Sequence, residues 1–257
     1  MKLSSTWVES VLPPLIPFVV ITAGLELAVR GGWIPAFLVP APSAVFHTLI
    51  ESRVELLQAL LKTSAGTLIG FLLSTILGIA IAVLLSSSRR IQRAFYPYAV
   101  FFQTVPIIAV APLLVIWFGY GLQTVIASAF VVSIFPVIAN TLTGLLSTDP
   151  ALRDLFRLYG ASSSVTLFKL RFPAALPQIL TGLRVASGLA VIGAIVGEFI
   201  GGQGLGSVVD VARTQQRVDK VFAAVLLASV LGLALFAVIN LISAITLRRW
   251  HSSESGS

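Results

Sequence analysis

Three ionisable side chains interrupt long apolar stretches of this sequence: Glu26, Arg184 and Glu198. In an apolar surrounding such groups are costly, and they are functional candidates by default. Arg184 and Glu198 share one stretch, but 14 residues of helix, about 21 Å, separate them, so they cannot pair directly within it. Arg184 is a candidate to contact a polar ligand, or it snorkels to an interface. Glu198 is read as a gate or docking residue. Glu26 lies near the end of its stretch, where it can contact a ligand or simply reach the interface. The uncharged polar candidates are Gln103, Thr104, Asn140 and Thr141. Gln103 stands three residues before Pro106, which frees a carbonyl near Phe102 and opens the helix locally. Such a place suits a pathway lining, although hydrogen bonding between helices explains these residues equally well.

Other chemistries have no support. There is no cysteine, so thiol and disulfide chemistry are absent. No His or carboxylate cluster has metal-ligand spacing, and Asp210 and Asp219 are isolated. Gly202, Gly204 and Gly206 superficially suggest a nucleotide loop, but no strand precedes them, and they read as a flexible loop. No phosphate loop of the form Gly-x-x-x-x-Gly-Lys-Ser/Thr occurs. Gly66/Gly70 and Gly193/Gly197/Gly201 recur every four residues, as in closely packed helices.

The elements that hold these residues follow from composition. Of 257 residues 57% are hydrophobic and only 11% charged, too few charges to cover a water-exposed surface. The solvent for most of the chain is lipid, and the length suits a single domain, 1–257. The net charge of +7 comes from basic residues at the ends of apolar runs, which reads as membrane topology and not as nucleic-acid binding. The N-terminal stretch, broken by Pro13, Pro14 and Pro17, is read as a retained span and not as a signal peptide.

Residues 94–148 carry no charge, and one helix of that length would be about 80 Å long, so the chain must reverse. Trp117-Phe118-Gly119-Tyr120-Gly121 supplies the turn. The spacing predicts an all-α integral membrane chain with six spans, near 12–29, 63–88, 95–116, 122–146, 176–200 and 221–247. With both termini inside, the inside segments hold ten of the seventeen Lys and Arg residues, including Arg89, Arg90 and Arg93. The outside segments hold six, offset by four acidic residues. One outside segment, 30–61, reads as loop plus amphipathic helix, with Val39-Pro40-Ala41-Pro42-Ser43 a stiff turn and Ser43 the helix cap.

The inside segment 149–173 is punctuated as helix, turn, helix, stop. Asp149 caps a short helix, Pro150 suits its first position and Gly160 its end. Leu152, Leu155, Phe156 and Tyr159 share one face; Arg153, Asp154 and Arg157 occupy the other. Ser162-Ser163-Ser164 makes the step to Val165–Leu170, and Arg171-Phe172-Pro173 ends it. Such a helix either rests on the membrane surface, apolar face down, or is presented to a groove on a soluble partner.

The spacing of Asp154, Gly160, Leu170, Phe172 and Pro173 resembles the "EAA" signature of ABC importer permeases. Leu155 and Phe156 replace the signature's two alanines, and Asp154 its glutamate. The run Ala174-Ala175-Leu176-Pro177 with Gly182-Leu183-Arg184 resembles the nitrate/sulfonate/taurine and thiamine-precursor branch of these type I permeases. So do Gln103-Thr104-Val105-Pro106 with Ala111-Pro112 and Trp117-Phe118-Gly119, Gly197-Glu198-Phe199-Ile200-Gly201 with Gly204-Leu205-Gly206, and Pro40-Ala41-Pro42-Ser43. The resemblance covers about 35–247.

That resemblance implies a multi-pass subunit of the bacterial inner membrane, paired with a second copy as a dimer. It implies two cytoplasmic ATPase subunits, each receiving one coupling helix, and a periplasmic or lipid-anchored solute-binding protein. ATP and magnesium would belong to the ATPases, and this chain would hold no cofactor and catalyse no reaction. The coupling residues implied are Leu152, Arg153, Asp154, Leu155, Phe156, Arg157, Tyr159, Gly160, Ala161 and Pro173. The pathway candidates are Gln103, Thr104, Asn140, Arg184 (which could instead pair at the dimer interface) and Glu198. Substrates of such permeases are small anions or heterocyclic vitamin precursors. No ring of cationic residues lines the spans, which favours a neutral or aromatic solute. A self-sufficient secondary transporter would need a proton or sodium relay, for which three scattered charges are a poor basis. A non-transporting anchor would not need spans broken by proline and rich in glycine.

Overall fold

The computed structural model of the chain describes residues 3–250, with side chains for 13 and 15–247. Every regular element among the described residues is helical: α1 (Leu3–Arg30), α2 (Pro42–Glu51), α3 (Arg53–Ser86), α4 (Arg89–Thr104), α5 (Ile107–Phe118), α6 (Leu122–Leu146), α7 (Pro150–Leu158), α8 (Ser163–Thr166), α9 (Phe172–Gly201), α10 (Leu205–Thr214) and α11 (Val218–Trp250). A π-turn, Leu167–Arg171, joins α8 to α9. Four continuous helical stretches, Arg53–Ser86, Leu122–Leu146, Ser163–Gly201 and Val218–Leu247, are long and apolar enough to cross a bilayer. The pair α4 and α5 passes the same test together but is bent by 98°. The span expected near 95–116, with a local opening at Pro106, is therefore a sharply broken one. Pro106 cannot donate a hydrogen bond, the chain leaves helical geometry at Val105, and the Phe102 carbonyl is taken by Val105 N–H at 3.4 Å.

The residues group into two compact units. One comprises residues 3–58 with Val208–Leu226. In it the first turn of α2 is held by Glu26 of α1, which accepts from Ser43 N–H at 3.0 Å and from the Ser43 hydroxyl at 2.6 Å. Arg30 pairs with the same carboxylate at 2.5 Å. This corrects the expected role of Ser43: the helix begins at Pro42, so Ser43 is already inside its first turn and donates to a cap supplied by another helix. In the same unit Lys220 is buried and bonds both Glu55 carboxylate oxygens, at 2.9 and 2.7 Å, while Asp219 accepts from Thr48 at 2.6 Å.

The larger unit, Ala59–Ser207 with residues 227–250, has α6 and α9 packed along their lengths as its spine. Its core is made of small and β-branched residues, among them Val125, Ala129, Val137, Ala186, Ala190 and Ala194, with Phe71 and Ile239 packed on them. Helices approach closely through the expected glycines: a Cβ added to Gly193 would lie 2.6 Å from the Ser128 carbonyl oxygen, and one added to Gly197 2.7 Å from the Ser128 hydroxyl.

The expected stop at Pro173 does not occur. The helix runs on from Ser163 to Gly201 because the π-turn widens it just ahead of the proline. Phe172 N–H bonds the Leu167 carbonyl, five residues back. An α-turn at this point would press the Pro173 ring against the carbonyl four residues earlier, and the wider turn relieves that clash.

Candidate functional site

At one end of the larger unit α7 stands on a frame of local hydrogen bonds. The Asp149 side chain accepts from Ala151 N–H at 2.8 Å, and Pro150 occupies the first turn. At the other terminus Gly160 N–H bonds the Arg157 carbonyl at 3.0 Å and Ala161 N–H bonds the Phe156 carbonyl at 3.0 Å. That is a Schellman motif, and Gly160 adopts the φ of +70° it requires. Both punctuation marks fall where the residue types place them.

α7 does not bury its apolar side against its own chain. Arg153 is half-buried, and together with Arg157 it lines a cavity within the unit. Leu152 and Leu155 are each 45% exposed, and Tyr159 and Leu158 84%. Only Phe156 of the apolar face is half-buried. Asp154 is exposed, with no partner among the described residues. The short helix thus turns Arg153 and Phe156 toward the chain and leaves Leu152, Leu155 and Tyr159 open. Ala161 is half-buried at its base, and Pro173 lies beyond the π-turn.

Below α7 sits a residue that spacing did not single out beyond its charge. Arg171 donates from Nε to the Leu145 carbonyl at 3.1 Å and from Nη2 to the Ser86 carbonyl at 3.3 Å. These are C-terminal carbonyls of α6 and α3, so one guanidinium satisfies orphan acceptors and opposes the negative ends of two helices.

The other end of the unit is organised by Glu198. It is 1% exposed, and its Oε2 accepts from Gly206 N–H at 2.8 Å and lies 3.0 Å from the Thr63 hydroxyl. That hydroxyl also accepts from Leu205 N–H at 2.9 Å and can donate to its own helix at Ala59 instead, at 3.0 Å. Oε1 is buried with no hydrogen-bond partner among the described residues. The flexible loop expected at 202–206 is in fact a short, tied connection: α10 starts at Leu205, and Lys62 Nζ bonds Gln203 Oε1 at 2.8 Å. A Cβ on Gly204 would collide with the Glu198 carboxylate and lie 2.6 Å from the Thr63 hydroxyl, so the carboxylate is seated against backbone.

The remaining polar candidates do not converge. Gln103 and Thr104 are exposed at the α4–α5 break, and the Thr104 hydroxyl bonds the Phe101 carbonyl at 2.7 Å. Asn140 donates to the Pro136 carbonyl of its own helix at 2.9 Å, with Gly182 of α9 against it. The Thr141 hydroxyl is buried and unpartnered among the described residues. Arg184 is half-buried and donates from Nη2 to the Ser243 hydroxyl of α11 at 2.5 Å, while its Nε is buried without a partner there. Sequence reasoning missed Thr63, Ser243 and the clamp made by Arg171. Each meets its partner only through tertiary packing; the one signal available was that Arg171 sits beside the Phe-Pro step.

With the geometry in place, comparison with known proteins settles the family. The family described as "Binding-protein-dependent transport system inner membrane component" matches residues 74–251. The chain is 38% identical to the formylaminopyrimidine transport permease protein ThiX of Halalkalibacterium halodurans, over 95% of this chain and 97% of that protein. It is 32% identical to the riboflavin transport system permease protein RibX of Chloroflexus aurantiacus, over 85% and 82%. In fold it is similar to a chain of the MetNI methionine ABC transporter in an inward-facing conformation, with TM-score 0.69 and 18% identity over 76% of this chain and 98% of that one. The apolar helical stretches, the framed α7 segment and these likenesses agree: the chain belongs to the family of inner-membrane permease components of binding-protein-dependent ABC transport systems.

Proposed function

We propose that this chain is the pathway-forming subunit of an ATP-driven importer, working as a dimer, and that α7 is the helix through which partner ATPases drive it. The observation that carries the reading is the open apolar side of α7, Leu152, Leu155 and Tyr159, on a helix fixed at both ends. An open apolar side suits either a lipid surface or a groove on a soluble partner, and membership of a family of ABC transport permeases favours the groove. The chain carries no phosphate loop, so ATP and magnesium belong to the two ATPase subunits. In this reading both termini are cytoplasmic, as the Lys and Arg distribution favours, and a binding protein delivers solute to the opposite face.

The substrate we propose is a small nitrogen heterocycle of the vitamin-precursor class. The named relatives transport a formylaminopyrimidine and riboflavin. Arg184 is the one Lys or Arg inside the six expected spans, so no ring of cations awaits an anion.

The test is co-purification of the partner ATPase with the full-length chain. Leu155→Ser/Tyr159→Ser should release the ATPase while leaving the melting temperature of the permease unchanged, since both side chains are exposed. Retention of the ATPase at wild-type levels would remove α7 from the coupling role.

A further inference from the structure

The end of the larger unit that carries α7 contains a cavity of about 550 Å³. Arg153 and Arg157 of α7, Arg171 of the π-turn and Ser163 and Ser164 of α8 all line it. No carboxylate does. None of the three arginines has an ion-pair partner among the described residues. Arg153 and Arg157 make no side-chain hydrogen bond there, nor do the hydroxyls of Ser163 and Ser164. Arg171 commits two of its five N–H groups to helix carbonyls and keeps three.

Three like charges gathered at one partly enclosed cavity repel one another and call for a counter-charge. A single carboxylate would neutralise one of them. A phosphate carries up to two negative charges and several strong acceptor oxygens, and guanidinium groups match it in paired hydrogen bonds. Free serine hydroxyls add uncharged donors. Val83 and Leu167 give the cavity an apolar side that suits the start of an acyl chain. We infer that this cavity is a binding site for a phosphate-type oxyanion, either inorganic phosphate or the phosphate of an anionic lipid headgroup, held by Arg153, Arg157 and Arg171. This goes beyond the transport reading, for it gives Arg153 and Arg157, which that reading uses only for coupling, a ligand of their own in the cavity. A ligand there would bridge α7 to the ends of α3 and α6 and so stiffen the seat of α7.

The experiment uses the full-length chain purified in neutral detergent at low ionic strength. One arm titrates inorganic phosphate. The other measures retention of phosphatidylglycerol against phosphatidylcholine by native mass spectrometry. Saturable phosphate binding without lipid retention identifies the free anion. Selective retention of one phosphatidylglycerol identifies the headgroup. In either case Arg153→Gln/Arg157→Gln should weaken binding about tenfold or more, whereas Arg89→Gln/Arg90→Gln, basic residues outside the cavity, should not. If the first variant fails to fold, Ser163→Glu supplies a carboxylate inside the cavity and should abolish binding in a folded chain. The inference is overturned if neither probe binds saturably, if both Arg pairs lose binding equally, or if assembly with the partner ATPase expels the ligand, which would assign the arginines to the protein interface.

Discussion

Glu198 and Thr63 lie 135 residues apart in sequence, yet the threonine hydroxyl sits 3.0 Å from the buried carboxylate, and the two together hold the backbone N–H groups of Leu205 and Gly206. A residue that sequence marks as a gate thus has, in the folded chain, the geometry of a latch on the α9–α10 connection. Glu198→Ala would leave the buried Gly206 N–H unpaired, a loss of about 1–3 kcal/mol. Glu198→Gln keeps the shape and one acceptor oxygen and should lose less. Thermal unfolding of the two variants in detergent checks the order; equal stability of both with wild type would show that the latch holds nothing.

Gly204 probes the same latch from the other side. A Cβ there would collide with the carboxylate, and the Thr63 hydroxyl would also be too close, 2.6 Å away. Gly204→Ala should therefore displace the connection and cost about 1–3 kcal/mol, as overpacking does. Gln215, exposed just after α10, serves as the control, where Gln215→Ala should be silent. Loss of protection at Leu205 and Gly206 in hydrogen exchange would report the displacement directly.

How far the sequence led is clear from these residues. The uncharged runs, the turn at Trp117–Gly121 and the caps Asp149 and Gly160 were legible because each acts on its own chain neighbourhood. Pro106 signalled a break, but its 98° angle depends on how α4 and α5 pack and is not written in the dipeptide. Pro173 read as a stop because α-helical geometry was assumed, and the π-turn removes the clash on which that reading rested. Glu26, Glu198 and Arg171 are bonded to Ser43, Thr63 and the carbonyls of Ser86 and Leu145. Those partners are found only by folding the chain, so the residues stood out as charges while their tasks stayed hidden.

Arg171 is the second test of such a hidden task. One planar guanidinium spans two helix ends, at Leu145 and Ser86. Arg171→Met removes charge-assisted bonds worth about 1.5–3 kcal/mol each and leaves both carbonyls without this donor. Arg171→Lys keeps the charge, but a point donor on a flexible stem does not reproduce the two-carbonyl fork, so only partial rescue is expected. Melting curves ordered wild type, then Lys, then Met support the clamp; identical curves remove it.

Gly160 closes α7 at φ +70°, where a side chain is strained although nothing lies within 4 Å of the added Cβ. Gly160→Ala therefore costs only the backbone term, about 1 kcal/mol. Because that cost falls on the frame of α7 and not on the spans, ATPase association should weaken while the melting temperature of the permease barely moves. A variant that melts early and keeps its ATPase would place the importance of Gly160 in folding instead.

Arg184 separates the transport role from the structural one. Its Nη2 is engaged by Ser243 at 2.5 Å, and its buried Nε has no partner among the described residues. If the residue only ties α9 to α11, Ser243→Ala and Arg184→Met should lower stability and leave uptake per folded complex unchanged. If the unpaired side of the guanidinium serves the pathway, Arg184→Met should cut ATP-driven uptake in reconstituted vesicles at least tenfold without releasing the ATPase, while Ser243→Ala, which keeps the charge, should cut it far less. The pathway reading predicts the second pattern. Uptake by Arg184→Met equal to wild type, normalised to assembled complex, would leave Arg184 as a helix tie alone.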